Sequence, residues 1–129
     1  MSVHSRGVKP PAKTDSEALT KAPPVPKYLS KLAQAEWRRI MPQLITRRII
    51  TKADLAGVES YCVAVGAARQ IAETMTTGEL PDLKLGGLQI RYMQTARQLA
   101  AEYGLTPTSR ARIGGAKEDD DSDNPLAVT

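Results

Sequence analysis

Residues 51–78 read TKADLAGVESYCVAVGAARQIAETMTTG, and this stretch decides the fold. Thr51-Lys52-Ala53-Asp54 resembles a capping box with Asp in place of Glu. Gly78 follows as a stop. Between them Val58, Tyr61, Val65, Ala68, Ala72 and Met75 recur at alternating three- and four-residue spacing, the seam of a packed helix. Leu55 and Cys62 widen that face. A long helix over about 52–77 is therefore predicted. It also carries small residues, among them Gly57, Ala64, Gly66 and Ala67. Glycine inside a helix costs ~1 kcal/mol relative to alanine, so these positions point to a close backbone approach. One helix in so short a body can hardly bury both faces internally, and Gly57, Ala64, Gly66 and Ala67 are read as an oligomer interface.

Working outward, Ser30 is an N-cap for a helix from Lys31 to about Met41, where Pro42 is expected to end or kink it. Leu32, Ala33, Trp37, Ile40 and Met41 form its stripe, with Trp37 as a core anchor. On the other side, residues 79–87 form a connector in which Leu80, Leu83 and Leu85 alternate, a pattern compatible with a short hairpin. A last major helix over about 88–103 carries Ile90, Met93, Ala96, Ala100 and Tyr103 on one stripe, with Gly104 at its C′ position. Thr106-Pro107 then restarts a short helix, Thr as N-cap and Pro at the first helical position. The fold expected is all-α: a helical core around one long central helix, with disordered termini.

The termini have a different composition. Residues 1–27 hold five prolines, and residues 114–129 hold Gly114-Gly115 and an Asp run, so both ends are expected to be disordered around a helical domain at 28–113. Charge is polarised along the 129 residues. The net charge of +4 divides into a basic arm and a basic body followed by an acidic tail, where Lys117 faces Glu118, Asp119, Asp120, Asp121 and Asp123. A basic body with an acidic tail suits a polyanion partner plus a second, different contact; the alternative is that both ends are simply solvated.

Catalytic signatures are missing from the sequence. There is no phosphate-binding G-x-x-x-x-G-K-[ST] loop, no G-x-S-x-G elbow and no H-E-x-x-H. His4, the single histidine, sits in the N-terminal arm, and Cys62 is the single cysteine, so neither a catalytic triad nor a zinc site nor a disulfide is expected. The run Asp119–Asp121 lacks the glycine and distal Glu of a calcium loop. No catalytic residue, metal or cofactor is assigned. No apolar run reaches the ~18 residues of a membrane span, and residues 1–11 lack a signal-peptide core; a reducing cytoplasm is expected.

Two ordered stretches carry a resemblance. One is Trp37-Arg38-Arg39-Ile40-Met41-Pro42-Gln43-Leu44, then Ile50-Thr51-Lys52-Ala53-Asp54, then Glu59-Ser60-Tyr61-Cys62. The other runs from Leu99-Ala100-Ala101-Glu102-Tyr103-Gly104 through Leu105-Thr106-Pro107-Thr108-Ser109-Arg110-Ala111-Arg112. With Pro23–Leu29 ahead of them, they resemble a family of small terminase subunits of tailed bacteriophages, over about residues 23–113. The connector departs from the family, whose members tend to carry a longer segment there. The resemblance implies a non-catalytic packaging protein in the host cytoplasm. Such a protein assembles into a homo-oligomeric ring, engages viral double-stranded DNA and regulates a large terminase subunit that holds the ATPase and nuclease.

The residues assigned to DNA are Lys9, Lys13, Lys21, Lys27, Arg38, Arg39, Arg47, Arg48 and Lys52, since arginine suits bidentate phosphate contact. For any single arginine a solvated helix face or an interface ion pair is the competing account. The tail residues Asp119, Asp120, Asp121, Leu126 and Val128 have the form of a docking peptide for the large subunit, an acidic spacer before a short apolar end. A competing account has the tail fold over the basic surface. Two other functional classes fit the composition: a small dimeric helical transcriptional regulator, and a helical adaptor that binds protein only.

Overall fold

The computed structural model describes residues 17–78 and 81–112. Three helices, α1 (Lys31–Thr46), α2 (Leu55–Thr77) and α3 (Leu83–Glu102), carry the core, and a 3₁₀ turn, Lys52–Asp54, leads into α2. A short helical segment follows over 107–112. No strand occurs among the described residues. The long central helix lies between the other two, packed on α1 and on α3.

Local signals at the helix starts act as expected. Ser30 Oγ accepts from the Ala33 N–H at 3.2 Å. Thr51 Oγ1 accepts from Ala53 N–H at 3.2 Å while Asp54 Oδ2 accepts from Thr51 N–H at 2.8 Å, closing the capping box. Three features differ from the pattern-based expectation. First, α1 runs through Pro42 to Thr46. Pro42 is exposed, so the single carbonyl it leaves unbonded can be hydrated, while Leu44 beyond it is fully buried and holds the last turn to the core. Second, Leu83 and Leu85 belong to α3, not to a hairpin. Asp82 Oδ1 accepts from the Lys84 and Leu85 N–H groups at 3.0 and 3.1 Å, an N-cap that starts the helix five residues earlier than the stripe suggests. Third, Gly78 does close α2, but in an extended conformation (φ −85°, ψ 147°) rather than a left-handed one.

The N-terminal arm also departs from expectation. From Glu17 onward it is packed on the body: Ala18 and Leu29 are buried, and the Leu19 N–H donates to the Ile50 carbonyl at 2.9 Å. Residues 1–16 and 113–129 lie outside the described residues, as do Glu79 and Leu80.

Small residues set the spacing of α1 and α2. A Cβ at Gly66 would lie 2.8 Å from the Ala33 backbone nitrogen and 3.0 Å from its Cα. A Cβ at Gly57 would strike the Tyr103 hydroxyl at 1.9 Å. Ala64 is buried as well. The reading of Gly57, Ala64 and Gly66 as an oligomer face is thus corrected: these three are used within the subunit, where α1 and α3 cover both sides of α2. Ala67 alone of the four lines an open groove.

Where α1 crosses α2, a buried carboxylate locks the pair. Glu36 has no exposed side-chain surface. It accepts from Tyr61 Oη at 2.6 Å, from Arg39 Nε at 2.8 Å, and pairs with Arg69 Nη1 at 3.3 Å. Burial alone pushes the Glu36 carboxyl up; the Arg39 and Tyr61 hydrogen bonds and the two guanidinium charges outweigh it, and the net direction is down. Burial and the neighbouring carboxylate push the Tyr61 hydroxyl up, so it stays a donor. Cys62 beside it is fully buried, its thiol pushed up to about 12 by that burial.

Two outcomes follow from this packing. Gly66→Ala should cost about 1–3 kcal/mol in a denaturant melt, because backbone rather than a flexible side chain blocks the new methyl. Gly87→Ala, whose Cβ meets nothing within 4 Å, should instead stabilise α3 by about 0.5–1 kcal/mol; equal effects at the two sites would refute the close crossing. The second concerns pH. Because the folded Glu36 pKa is lowered, its contribution is complete above the ordinary value of 4.5 and is lost as pH falls through the folded value. The stability gap between wild type and Glu36→Gln, about 1–3 kcal/mol at neutral pH, should close on acidification below that point. A gap unchanged down to pH 3 would exclude an ionised Glu36 hub.

Candidate nucleic-acid interface and assembly surfaces

One end of the molecule gathers the C-terminus of α1, the N-terminus of α2 and the C-terminus of α3. Both C-termini close with the same motif. At α3 the Leu105 N–H bonds back to Ala100 O at 2.9 Å and the Gly104 N–H to Ala101 O at 3.5 Å, with Gly104 left-handed at φ 65°. At α1 the Ile49 N–H bonds to Leu44 O at 3.1 Å and the Arg48 N–H to Ile45 O at 3.0 Å. The left-handed position there is Arg48, φ 55°. Glycine would adopt that conformation without strain; an L side chain costs roughly 1–2 kcal/mol in it. Arg47 Nη1 then donates to the Gly104 carbonyl at 3.2 Å, tying the two C-termini together.

This geometry sorts the arginines and lysines read from the sequence. Arg47, Arg48 and Lys52 meet at the corner, all exposed. The Leu19–Ile50 hydrogen bond ties the arm to the turn two residues before Lys52, and the exposed Lys21 lies two residues further along the arm. Arg110 and Arg112 are exposed on the helical segment that follows Gly104, whose first turn is fixed by Thr106 and Ser109: the Ser109 N–H donates to Thr106 Oγ1 at 3.1 Å and the Arg110 N–H to Thr106 O at 2.9 Å. Sequence spacing leaves Arg110 and Arg112 scattered; the Arg47–Gly104 contact, 57 positions apart, shows that the segment carrying them departs from the corner. Asp54 stands there too, but its carboxylate is held by Thr51.

Arg38 and Arg39 lie elsewhere, more than two turns back along α1. Arg38 donates to Gln34 Oε1 at 3.4 Å. Arg39 is held against Glu36, whose hydrogen bond and charge raise its pKa further. Lys27 is exposed on the arm before α1. Lys9, Lys13, Asp119, Asp120, Asp121, Leu126 and Val128 lie outside the described residues. Trp37 is 2% exposed and belongs to the core.

The α2–α3 hairpin supplies a second kind of surface. The two helices run antiparallel: Gly57 faces Tyr103, Gln89 Nε2 donates to the Ala68 carbonyl at 3.3 Å, and Gly86 nears Met75. The expected α3 stripe is only partly covered. Ala100 and Tyr103 are buried, but Ile90 is 56% and Met93 49% exposed. A groove of about 320 Å³ is lined by Val65, Ala68, Ala72, Met93 and Ala96, with Arg69 and Gln89 at its edges. A second, about 290 Å³, is lined by Ala67, Ile71, Leu85, Leu88 and Tyr92, with Gln70 and Thr74. The two sets alternate around α2, so the grooves flank the α2–α3 seam on either side.

Among the described residues no group of His, Cys, Asp or Glu could hold a metal ion, and no helix is long and apolar enough to cross a membrane. No match was found among curated proteins or among solved structures. A family model described as phage terminase, small subunit, matches residues 33–120. That span runs from the first turn of α1 past the basic corner and covers well over half of the chain. The protein therefore belongs to the phage terminase small-subunit family and takes part in packaging phage DNA.

Proposed function

We propose that this chain is a non-catalytic packaging subunit that assembles into a closed ring, holds viral duplex DNA through the basic corner, and brings the large terminase subunit to that DNA. The observation that carries the ring is the pair of apolar grooves on opposite flanks of the α2–α3 seam. A subunit that presents two different surfaces, one on each side, associates head to tail, and head-to-tail contacts close into rings when the rotation allows. A two-fold dimer, as in a small transcriptional regulator, would use one face on both copies and leave the other uncovered.

The corner supports the DNA contact. Lys21, Arg48, Lys52, Arg110 and Arg112 present exposed cations from four separate segments, and a ring repeats them in every subunit. Such an array suits phosphates spaced along a duplex and reads no base sequence by itself. Arg47 serves as a positioning residue, with its guanidinium on Gly104. The tail residues Asp119–Asp121 with Leu126 and Val128 retain the form of a docking peptide for the large subunit.

The assembly has a discriminating test. Met93→Lys blocks one groove and Leu88→Lys the other; both side chains are already part-exposed, so the fold should tolerate them. In native mass spectrometry each variant alone should lose the ring. Their equimolar mixture should give a heterodimer, since each retains one intact side. A ring surviving either change, or a mixture that stays monomeric, would reject head-to-tail assembly through these grooves.

Duplex binding should be steeply salt-dependent, with log affinity falling by about 0.9 per phosphate neutralised for each tenfold rise in salt. Arg48→Ala or Lys52→Ala should each lower that slope by about the same amount, per subunit engaged, across unrelated DNA sequences. Unchanged slopes in both variants would place the DNA somewhere other than the corner.

A further inference from the structure

The groove lined by Val65, Ala68, Ala72, Met93 and Ala96 is apolar except for two residues, and both are tied back into the subunit. Gln89 Nε2 donates to the Ala68 carbonyl at 3.3 Å, and Arg69 Nη1 pairs with Glu36 Oε1 at 3.3 Å. The Glu36 side chain has no exposed surface, whereas that of Arg69 is 49% exposed, so a buried carboxylate holds a cation that also borders the groove. Arg39 binds the same carboxylate but does not line the groove. We infer that Glu36 keeps this groove open by holding the Arg69 guanidinium at its edge, so that the α1–α2 crossing controls whether a second copy of the chain can enter. The inference rests on the head-to-tail reading of the grooves, and the occupant is the opposite flank of a neighbouring copy.

A released Arg69 has an apolar surface to lie on. Val65, Ala68 and Ala72 stand within four residues of it on α2, and a helical side chain leans over the turn that precedes it, here towards Val65. Ala68, Ala72 and Ala96 are small, which leaves about 320 Å³ unfilled. Arginine buries its methylene stem along apolar surface while its head stays in water, so a guanidinium without a partner would settle into the space a second copy needs. Pairing with Glu36 opposes this, because a hydrogen bond between two charged groups is about twice as strong as a neutral one. Burial pushes the Glu36 carboxyl up, but the Arg39 and Tyr61 hydrogen bonds and the guanidinium charges bring it down, and the charge that holds Arg69 persists at neutral pH. The opposite flank offers no substitute. Its groove is lined by Ala67, Gln70, Ile71, Thr74, Leu85, Leu88 and Tyr92, with no carboxylate among them. Arg69 has no anion to meet there and must be held clear.

The test uses the two singly blocked full-length chains. Leu88→Lys keeps the groove beside Arg69 and Met93→Lys keeps the opposite flank, so their heterodimer reports this one contact. Its affinity is measured by sedimentation equilibrium at neutral pH. Glu36→Gln in the Leu88→Lys chain should weaken the heterodimer about tenfold, the loss expected if the released guanidinium fills the groove nine-tenths of the time. The same substitution in the Met93→Lys chain, whose own groove is already blocked, should leave the affinity as before. Adding Arg69→Ala to the chain carrying Glu36→Gln and Leu88→Lys should restore association, although the α1–α2 crossing then has one contact fewer. Lost stability alone would give the opposite order. Equal losses with Glu36→Gln in either chain, no loss in either, or no recovery with Arg69→Ala would overturn the inference. If the two parent chains form no heterodimer, the assembly reading fails, and NMR of the Leu88→Lys chain alone decides whether Glu36 holds Arg69 clear. Nuclear Overhauser contacts between the Arg69 stem and the Met93 methyl should then grow on Glu36→Gln, and unchanged contacts would overturn the inference.

Discussion

The whole arrangement depends on one missing side chain. At Gly66 the α1 backbone lies 2.8 Å from where a Cβ would be, too near for one, and this contact brings α1 close enough for Glu36 to reach Tyr61 and Arg69 across the crossing. A buried carboxylate left unpaired would be strongly unfavourable. Here it is fully bonded, and no buried side-chain polar atom lacks a partner among the described residues. Close approach and polar satisfaction thus require each other: a wider crossing would leave Glu36 buried without Tyr61, and an unpaired Glu36 would push the helices apart. With α1 fixed on one side of α2 and α3 on the other, the grooves on the α2–α3 seam and the corner at the helix ends follow as surface consequences.

Much of this was legible in the chain because it is local. Ser30, Thr51–Asp54 and Gly104 act through hydrogen bonds to residues within five positions, and the three-to-four periodicity of α2 reports burial along one helix. The misreadings share a cause. Pro42 is a strong local stop signal, but tertiary burial of Leu44 outweighs one lost hydrogen bond. The alternation of Leu83 and Leu85 matches a strand, and it is Asp82 as N-cap that makes them the first turn of a helix. The small residues of α2 showed that something packs closely without showing what; α1 and α3 of the same subunit proved to be the partners. Glu36 has no local signature, because a glutamate in an Arg-rich helix reads as solvated, and only its contact with Tyr61, 25 positions away, shows otherwise.

The same distinction separates the arginines. Five sit in α1, the turn after it, and α2, and residue type alone treats them as one basic set. In the fold, Arg39 and Arg69 neutralise Glu36, and Arg47 caps the end of α3. Arg38 contacts only a glutamine within its own helix. Part of the formal positive charge is therefore neutralised inside the structure; exposed cations remain at Arg48 and Lys52 and, away from them, at Lys27, Lys31, Arg38, Lys84, Arg91 and Arg97.

Arg48 is the residue at which structural and outward roles conflict. Its left-handed conformation is required by the Schellman turn that ends α1, and that turn sets the path into the Thr51 cap and hence the start of α2. Glycine performs this task at α3, where Gly104 occupies the equivalent position. An arginine in its place adds local strain, and among the described residues its side chain makes no hydrogen bond that offsets it. That strain sits in an exposed cation four residues before Lys52, which is why the proposed DNA contact includes it. The corner is thus a surface whose backbone is set by helix capping and whose exposed cations are the ones the proposed DNA contact would use.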